Sequence, residues 1–397
     1  TTTLKKLFEK EVEDRAPRDN FFHCLVNAAH QFHNSENRSE RYLLAGYPWF
    51  KCRARDTFIS LPGLTLSIDE QDYFELVMKT AEKGIREFMQ GKKLSVRIYE
   101  MEQPDVLLWA IWAIQQYAKS AGETKCLNMY GKLIFGILDF IAAGKHPNLT
   151  LDNGVLISTE GREKPVTWMN STMNGRPIVP RTGYIVEFNA LWYNALRFGA
   201  KIAMLENNAE KATKWEEIAE NCKQAFVKTF LNDYGYLFDY VDGNMMDWSV
   251  RPNMIFPVAF DYSPLSQEQK KSVLDVCTRE LLTPKGLRSL SPKSGGYNPM
   301  YVGPQRDYAY HQGTVWPWLG GFYMEACLKL YKRTRLSFIE RQMVGYEDEM
   351  TTNCLGTIPE MFDGNPPFHA RGAISFAMNV AEILRTLNLL EKYSYIK

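Results

Sequence analysis

The sequence has no excess of charge of either sign. Its 47 lysine and arginine residues are matched by 46 aspartate and glutamate residues, which leaves a formal net charge of +1. Proteins that bind nucleic acid or an anionic membrane surface by electrostatic attraction usually carry a clear basic excess. The composition therefore predicts neither partner, and it favours a neutral ligand.

Paired cysteine motifs are also missing. The seven cysteines are scattered, without a CxxC pair or a cysteine–histidine cluster, so we predict free thiols and neither a disulfide framework nor a zinc site. Free thiols are typical of a reducing compartment, and we expect a cytoplasmic location. There is no glycine-rich phosphate loop and no His-x-x-x-His pair, so no metal or nucleotide cofactor is implied.

Long hydrophobic runs are absent as well. No uninterrupted apolar segment approaches the ~18 residues that a membrane-spanning helix needs, so no membrane span is predicted. The chain of 397 residues is 45% hydrophobic and 23% charged, and no low-complexity linker divides it. This composition predicts one large domain over residues 1–397.

The apolar periodicity predicts about a dozen helices in two alternating kinds. Residues 106–118 contain no charge, as in a helix buried on all sides, whereas residues 209–230 carry one apolar stripe and many charges, as in a surface helix. The predicted helices lie near 17–33, 56–67, 70–90, 104–119, 125–142, 186–205, 209–230, 250–260, 266–282, 312–332, 336–349 and 372–392.

The connections between these helices alternate between short and long. Long ordered loops in a compact domain are usually functional. The alternation predicts six helical hairpins arranged as an inner ring inside an outer ring, which is an all-α (α/α)6 toroid with one functional rim. An irregular all-α domain or a helical repeat array is the alternative, but no fixed sequence period is visible. The long connections cover 34–55, 91–103, 143–185, 231–249, 283–311 and 350–371.

The long loops are rich in aromatic residues. Aromatic faces pack against the CH faces of sugars, and neighbouring carboxylates, amides and arginines bind hydroxyl groups, so a concave site of this composition suits a neutral polyol. The alternative is that these rings fill a wide helical core. They are Tyr47, Trp49, Phe50, Tyr99, Trp168, Trp248, Tyr297, Tyr301, Tyr308, Tyr310, Phe362 and Phe368.

Hydrolysis of a glycosidic bond needs two carboxyl groups, one to protonate the leaving oxygen and one to activate water or attack carbon. Glu360 is the best candidate for the second role, because it follows Ile358 and Pro359 in an apolar segment just before the last inner helix. A structural role, in which Glu360 or Asp363 caps that helix or braces Arg371, remains open.

Eight collinear segments resemble the glucosidase domain of glycogen debranching enzymes. They include AGYPWF at 45–50, VTWMN at 166–170, HQGTVWPW at 311–318 and IPEMFD at 358–363. The others lie at 55–64, 186–196, 251–253 and 281–290. A series in the family's order is far more specific than any single member of it.

The resemblance implies an amylo-α-1,6-glucosidase, a toroid that removes the single glucose left at a branch point of glycogen or limit dextrin with inversion at the anomeric carbon. It assigns Glu360 as the general base. It also implies that bacterial members carry an N-terminal β-rich domain, which lies outside this chain and would explain its start at Thr1. Candidate residues for the glucose subsite are Arg55, Asp56, Asp105, Trp168, Glu187, His311, Gln312 and Trp316.

Several of these residues also have a structural interpretation. Asp56 and Asp105 suit the N-terminus of a helix, and Glu187 suits a first helical turn, where the helix dipole favours a carboxylate. An isolated histidine such as His311 is more often a structural hydrogen-bond donor than a catalyst. The motifs make each a candidate site residue without assigning it a catalytic role.

One position departs from the family. The family usually reads Thr-Trp-Met-Asp, with the aspartate as the general acid, and this chain has Asn170. An amide is nearly isosteric with a carboxyl but has no acidic proton to transfer. Asn170 could be an engineered substitution, or a natural variant in which Glu187, Glu163 or Asp105 supplies the proton. In a third interpretation the domain is a catalytically impaired glucan-binding module. A toroid glycosidase for another α-linkage is a further alternative.

Overall fold

Helices dominate the chain. The computed structural model describes residues 2–13, 15–35, 39–353 and 355–395. The α-helices among these residues are α1 Thr2–Glu13, α2 Phe21–Phe32, α3 Ala54–Leu64, α4 Gln71–Met89, α5 Val106–Ala121, α6 Glu123–Ala142, α7 Val186–Leu205, α8 Ala209–Phe230, α9 Phe256–Ala259, α10 Gln267–Glu280, α11 Pro317–Tyr331, α12 Leu336–Glu347, α13 Glu349–Thr352 and α14 Ala377–Ser394.

Six of these helices form a closed inner ring. In chain order α3, α5, α7, α9, α11 and α14 each pack against the next, and α14 packs back against α3. The helices α2, α4, α6, α8, α10 and α12 alternate with them and form an outer layer. The predicted arrangement of an inner ring inside an outer ring is present.

Burial distinguishes the two rings as the sequence predicted. Every residue of α3 is buried, and α5 is buried without a break from Val106 to Gln115. The outer helix α8 buries only the stripe formed by Ala212, Trp215, Ala219, Cys222, Phe226 and Phe230. Apolar burial on all sides of the inner helices therefore holds the ring together.

Aromatic rings fill the centre of the inner ring. Trp109 and Trp112 of α5 contact Phe256 of α9 and Phe322 of α11, and Trp318 joins them, with ring centroids 5.0–5.7 Å apart. Most of these contacts are edge-to-face or tilted, the arrangements that aromatic quadrupoles favour. The toroid therefore has a packed core below its functional rim.

The prediction of an all-α chain needs correction, because the long loops contain short antiparallel strands. Two sheets have five strands each, ordered β10-β9-β8-β5-β4 and β11-β12-β13-β14-β15, and three are pairs, β1-β2, β16-β3 and β6-β7. Strands of two to four residues have no readable period. They are β1 His33–Asn34, β2 Tyr42–Leu43, β3 Gly46–Tyr47, β4 Thr150–Asp152, β5 Leu156–Thr159, β6 Thr172–Met173, β7 Arg176–Pro177, β8 Gly183–Ile185, β9 Tyr240–Asp242, β10 Met245–Met246, β11 Leu282–Thr283, β12 Gly286–Arg288, β13 Val315–Trp316, β14 Met361–Phe362, β15 Ala370–Arg371 and β16 Ser375–Phe376.

Some helix boundaries also differ from the prediction. The helices predicted at 312–332 and 372–392 begin at Pro317 and Ala377, because β13 and β16 precede them. Proline suits the first helical position and disfavours helix in the residue before it. The helix predicted at 250–260 is a 3-10 turn over Pro252–Ile255 followed by α9.

The first two helices differ for local reasons. The helix predicted at 17–33 begins at Phe21, because the side chain of Asn20 accepts a hydrogen bond from the backbone N–H of His23 and caps it. Helix α1 was not predicted at all. Its apolar residues Leu4, Leu7 and Phe8 are exposed.

The inner ring closes where α3 meets α14 at Gly63. A Cβ atom added to Gly63 would lie 2.0 Å from the backbone oxygen of Ala381 and 2.6 Å from its Cα. Because backbone cannot rotate away as a side chain can, we expect Gly63→Ala to lower the free energy of unfolding by about 1–3 kcal/mol or more. Thermal or urea unfolding followed by circular dichroism measures this change.

Gly136 in the outer helix α6 is the matched control. The nearest atom to its added Cβ would be Met89 Cε at 4.0 Å, so alanine fits there and improves helix propensity. We expect Gly136→Ala to leave the stability unchanged or to raise it. Equal losses in the two variants would contradict the close contact at the α3–α14 seam.

Candidate active site

A narrow pocket opens on the rim formed by the long loops, at the N-terminal ends of the inner helices. Its cavity volume is about 30 Å³, and the adjoining open space brings the total to about 400 Å³. Seven of the ten predicted site residues line it, namely Arg55, Asp56, Trp168, Asn170, His311, Trp316 and Glu360. They come from four different loop–helix junctions, which the ring brings together.

Glu360 is held firmly at this pocket, with only 2% of its surface exposed. One carboxylate oxygen, Oε2, accepts a hydrogen bond from the backbone N–H of Ala373 at 2.7 Å, and the Tyr310 hydroxyl donates to Oε1. Asn379, in the first turn of α14, donates to the backbone oxygen of Glu360 at 2.8 Å. The side chain of Glu360 therefore has one fixed orientation.

Close packing around the Glu360 carboxylate requires glycine at position 372. Gly372 has a φ of +72°, and an added Cβ would lie 2.2 Å from Glu360 Oε2. A side chain here would meet both backbone strain and the carboxylate. No motif in the sequence singles out this glycine.

Two carboxyl groups in the pocket have raised pKa values. Burial raises the pKa of Glu360 to about 7 against the opposing effect of the Ala373 hydrogen bond, and the nearby Asp56 raises it further. Burial also raises the pKa of Asp56 to about 6, although Arg53 and Arg55 oppose this shift. Groups whose pKa lies near neutrality are suited to general acid–base chemistry.

Asp105 lies behind the pocket wall, not among the residues that line it. Both of its oxygens accept hydrogen bonds from Arg55, at 2.7 Å from Nε and 2.8 Å from Nη2, and the indole N–H of Trp109 donates to Oδ2 at 3.1 Å. A bidentate pair of this kind fixes the plane of a guanidinium. Asp105 therefore positions Arg55, which itself lines the pocket.

Glu187 is likewise placed in a buried network. Arg181 binds Glu187 on one side, with Nη2 2.6 Å from Oε2, and Asp239 on the other, with Nε 2.6 Å from Oδ2. Asp239 accepts from Asn253 at 2.7 Å, and Asn253 accepts from the Trp168 indole N–H at 2.7 Å. Glu187 thus lies at the far end of a polar chain that orients Trp168.

Gln312 also pairs with a buried arginine and lies outside the pocket lining. Arg251 donates from Nη2 to Gln312 Oε1 at 2.6 Å and from Nη1 to the backbone oxygen of His311 at 2.8 Å. Asp105, Glu187 and Gln312 are the three predicted site residues that the structure does not bring into the pocket. Each binds an arginine instead.

His311 is a neutral, fully buried histidine. Its ring stacks on Trp316, with centroids 5.4 Å apart and planes at 13°, and its Nδ1 accepts from the backbone N–H of Ser171 at 3.4 Å. Burial, together with Arg251 and Arg181, holds the pKa of His311 well below its usual value of 6.5. The Ser171 hydroxyl lies 3.0 Å from the same Nδ1, and Nε2 has no hydrogen-bond partner among the described residues.

Sequence reasoning missed part of the pocket lining. Phe50 and Tyr310 were recognised only as loop aromatics, and the other missed residues are Arg53, Glu100, Phe376 and Met378. Glu100 adopts a left-handed backbone with φ of +62°, which is unusual for a residue other than glycine and is often found at functional sites. Nothing in the sequence around Glu100 signals this conformation.

Asn170 lines the pocket, but the carboxyls proposed to replace its proton do not. Asp105 and Glu187 are bound to arginines outside the lining, and Glu163 is exposed on its loop. The carboxyl groups that do line the pocket are those of Asp56, Glu100 and Glu360. The interpretation that Asp105, Glu163 or Glu187 donates the proton is therefore not supported.

Metal clusters and membrane spans are both missing from the described part of the chain. Its residues contain no group of three or more His, Cys, Asp or Glu side chains that could hold a metal ion. Within the same ranges, every helix is too short or too polar to cross a membrane.

Known structures with a similar fold support the toroid. A bacterial glucoamylase complexed with acarbose aligns over 94% of this chain and 55% of the glucoamylase chain, with a TM-score of 0.59 and 15% sequence identity. A sialidase aligns over 92% of this chain and 33% of the sialidase chain, with a TM-score of 0.67 and 13% sequence identity. Identities this low show a common fold and carry no assignment of substrate.

Comparisons of sequence identify the family of the chain. The glycogen debranching enzyme of Saccharomyces cerevisiae is 28% identical over a region that covers 38% of this chain and 12% of the yeast protein. This chain therefore corresponds to only a small part of that enzyme's length. The family model for amylo-alpha-1,6-glucosidase matches residues 26–385, which is most of the chain. The resemblance in the motifs is thus confirmed, and the chain belongs to the amylo-alpha-1,6-glucosidase family.

Proposed function

We propose that this chain acts on branched α-glucans and hydrolyses a single α-1,6-linked glucose from a branch point, with inversion at the anomeric carbon. The observation that carries the proposal is Glu360, a buried carboxylate with fixed orientation, a pKa of about 7 and a position in a pocket of aromatic and charged groups.

In the proposed reaction Glu360 takes a proton from a water molecule as the water oxygen attacks the anomeric carbon. The bond between that carbon and the leaving O6 breaks, and O6 must gain a proton to leave as a hydroxyl. One glucose and one debranched glucan result, so atoms and charges balance when an acid supplies the second proton. Asn170 stands at the family's acid position and cannot supply it, so in the proposed reaction of this chain a water molecule donates the second proton to O6 and the reaction is slow.

The surrounding groups support sugar binding. Arg55, whose guanidinium is fixed by Asp105, and Asp56 both line the pocket, and these two groups can bind sugar hydroxyls. Trp168 and Trp316 provide apolar faces at the same pocket. Acarbose, a carbohydrate analogue, binds the bacterial glucoamylase that shares the fold. We propose a branched glucan as the partner on this basis.

The amide at position 170 supports one second candidate function, that of a glucan-binding domain with impaired catalysis. The pocket and its supporting network are compatible with binding, while the missing acid would limit turnover. The two candidates make different predictions about glucose release, although both predict affinity for the glucan.

The test is glucose release from a maltooligosaccharide that bears one α-1,6-linked glucosyl stub. We expect slow, catalytic release of β-glucose, detected by NMR before the anomers equilibrate, and no action on trehalose or α-mannosides. Release of α-glucose would contradict inversion. Hydrolysis of trehalose or mannosides in place of the stub would favour a glycosidase for another linkage, and binding without any release would favour the second candidate.

A further inference from the structure

We propose a second carbohydrate-binding site, the Tyr234–Trp248 groove, on the same rim of the toroid as the catalytic pocket. It has a volume of about 790 Å³ and is lined by Tyr234, Tyr236, Trp248, Arg279, Glu280 and Lys293. Its ligand would be an α-1,4-linked chain of the same branched glucan, so this inference rests on the proposed function.

Two aromatic faces in the groove are open to solvent. Tyr234 is 75% exposed and Trp248 is 48% exposed, and their ring centroids lie 6.1 Å apart at an angle of 73°. Neighbouring large aromatics exposed in this way commonly mark a binding surface. The two rings form one edge-to-face pair, and together they present an exposed aromatic surface to a ligand.

Trp248 is held in position from below. The ring of Phe238 packs edge-to-face against it with centroids 4.6 Å apart, and the Tyr236 hydroxyl donates to the backbone oxygen of Trp248 at 3.0 Å. An exposed ring fixed by its neighbours loses little entropy when a ligand covers it. The groove is therefore organised before any ligand arrives.

The polar side of the groove carries balanced charges. Lys293 binds Glu280 at 3.0 Å, and Ser291 donates to the other Glu280 oxygen at 2.6 Å. Arg279 and Asp247 add one charge of each sign. Two positive and two negative groups attract neither an anion nor a cation, but they provide donors and acceptors for the hydroxyl groups of a neutral sugar.

The groove is connected to the catalytic pocket through two loops. Trp248 lies three residues before Arg251, whose guanidinium donates to the backbone oxygen of the pocket residue His311. Lys293 lies on the loop that continues to His311 and then to α11. The loops that line the groove therefore also hold residues of the catalytic pocket, and we propose that the main chain of the glucan lies in the groove while its branch enters the pocket.

Affinity electrophoresis through glycogen tests the groove without requiring catalysis. We expect Tyr234→Ala and Trp248→Ala each to raise the dissociation constant for glycogen about tenfold or more, because each loses an aromatic contact. The matched control is Tyr395→Ala. Tyr395 is 79% exposed at the end of α14, about 27 Å along the helix from its pocket end. We expect this variant to bind glycogen as the parent does.

The two proposals can fail separately. Hydrolysis of the short stub substrate reports on the catalytic pocket, whereas retardation by glycogen reports on the groove. The Tyr234→Ala and Trp248→Ala variants must each keep the circular dichroism spectrum of the parent. If they then migrate like Tyr395→Ala, the groove does not bind the glucan, whether or not the stub is hydrolysed. If retardation depends on Tyr234 in a chain that releases no glucose, the groove stands and the proposed hydrolysis fails.

Discussion

Asn170→Asp is expected to raise the rate of glucose release from an α-1,6-linked stub by a factor of about 10²–10⁴, the usual contribution of a positioned general acid. The amide lines the same pocket as Glu360, and an aspartate of nearly the same shape would fit there with a transferable proton. The measurement is kcat/KM for the maltooligosaccharide stub in the two chains, under identical conditions.

α-Glucosyl fluoride provides the control for this substitution. Fluoride leaves without protonation, so this substrate needs water activated by Glu360 but no general acid. We expect the parent chain and the Asn170→Asp variant to hydrolyse it at rates within a few-fold of each other. A large gain on both substrates would mean that the substitution acts on binding or folding and not on proton transfer.

The opposite outcome on the stub would be equally informative. If the chain with Asn170 is already fast, another pocket carboxyl supplies the proton, and the structure leaves Asp56 and Glu100 as the candidates. Asp56 is the better placed by its pKa of about 6, which burial keeps above the ordinary value for aspartate. Asp56→Asn would then abolish the stub reaction and spare the fluoride.

The ring architecture could be predicted from the sequence because burial leaves a strong pattern. A helix such as α5, apolar on every side, must be enclosed, and the stripe of α8 must face one neighbour. The short strands could not be predicted, since two to four residues are too few to display a period. Their pairing depends on loops that only the closed ring brings together.

The pocket was predicted only in part, because long-range hydrogen bonding between side chains leaves no local signal. Arg55 binds Asp105 fifty positions further along the chain, and Arg251 binds Gln312 sixty-one positions away. Motifs located these residues near the site but could not separate those that meet the ligand from those that hold an arginine. Glu100 shows the converse case, since no motif marks it although it lines the pocket.

Glu360→Gln is expected to lower the stub reaction by a factor of about 10²–10⁴ when made in the Asn170→Asp background, where the starting rate is high. An amide cannot accept the proton of water. Burial raises the pKa of Glu360 to about 7, and the ionised carboxylate is the active form. The rate of the Asn170→Asp chain that keeps Glu360 should therefore fall as the pH drops below about 7. The variant should keep only a slow rate without this dependence, and it should fail with α-glucosyl fluoride as well.

Glu382 supplies a matched control on the same helix that anchors Glu360. It is a fully buried glutamate whose pKa burial also raises to about 7, but its carboxylate binds Arg385 at 2.7 Å and lies outside the catalytic pocket. We expect Glu382→Gln to reduce stability, because it weakens a buried ion pair. Assayed well below its melting temperature, it should keep both the rate and the pH profile. If Glu382→Gln abolished the loss of rate below about pH 7 while Glu360→Gln still showed that loss, Glu360 would not be the base.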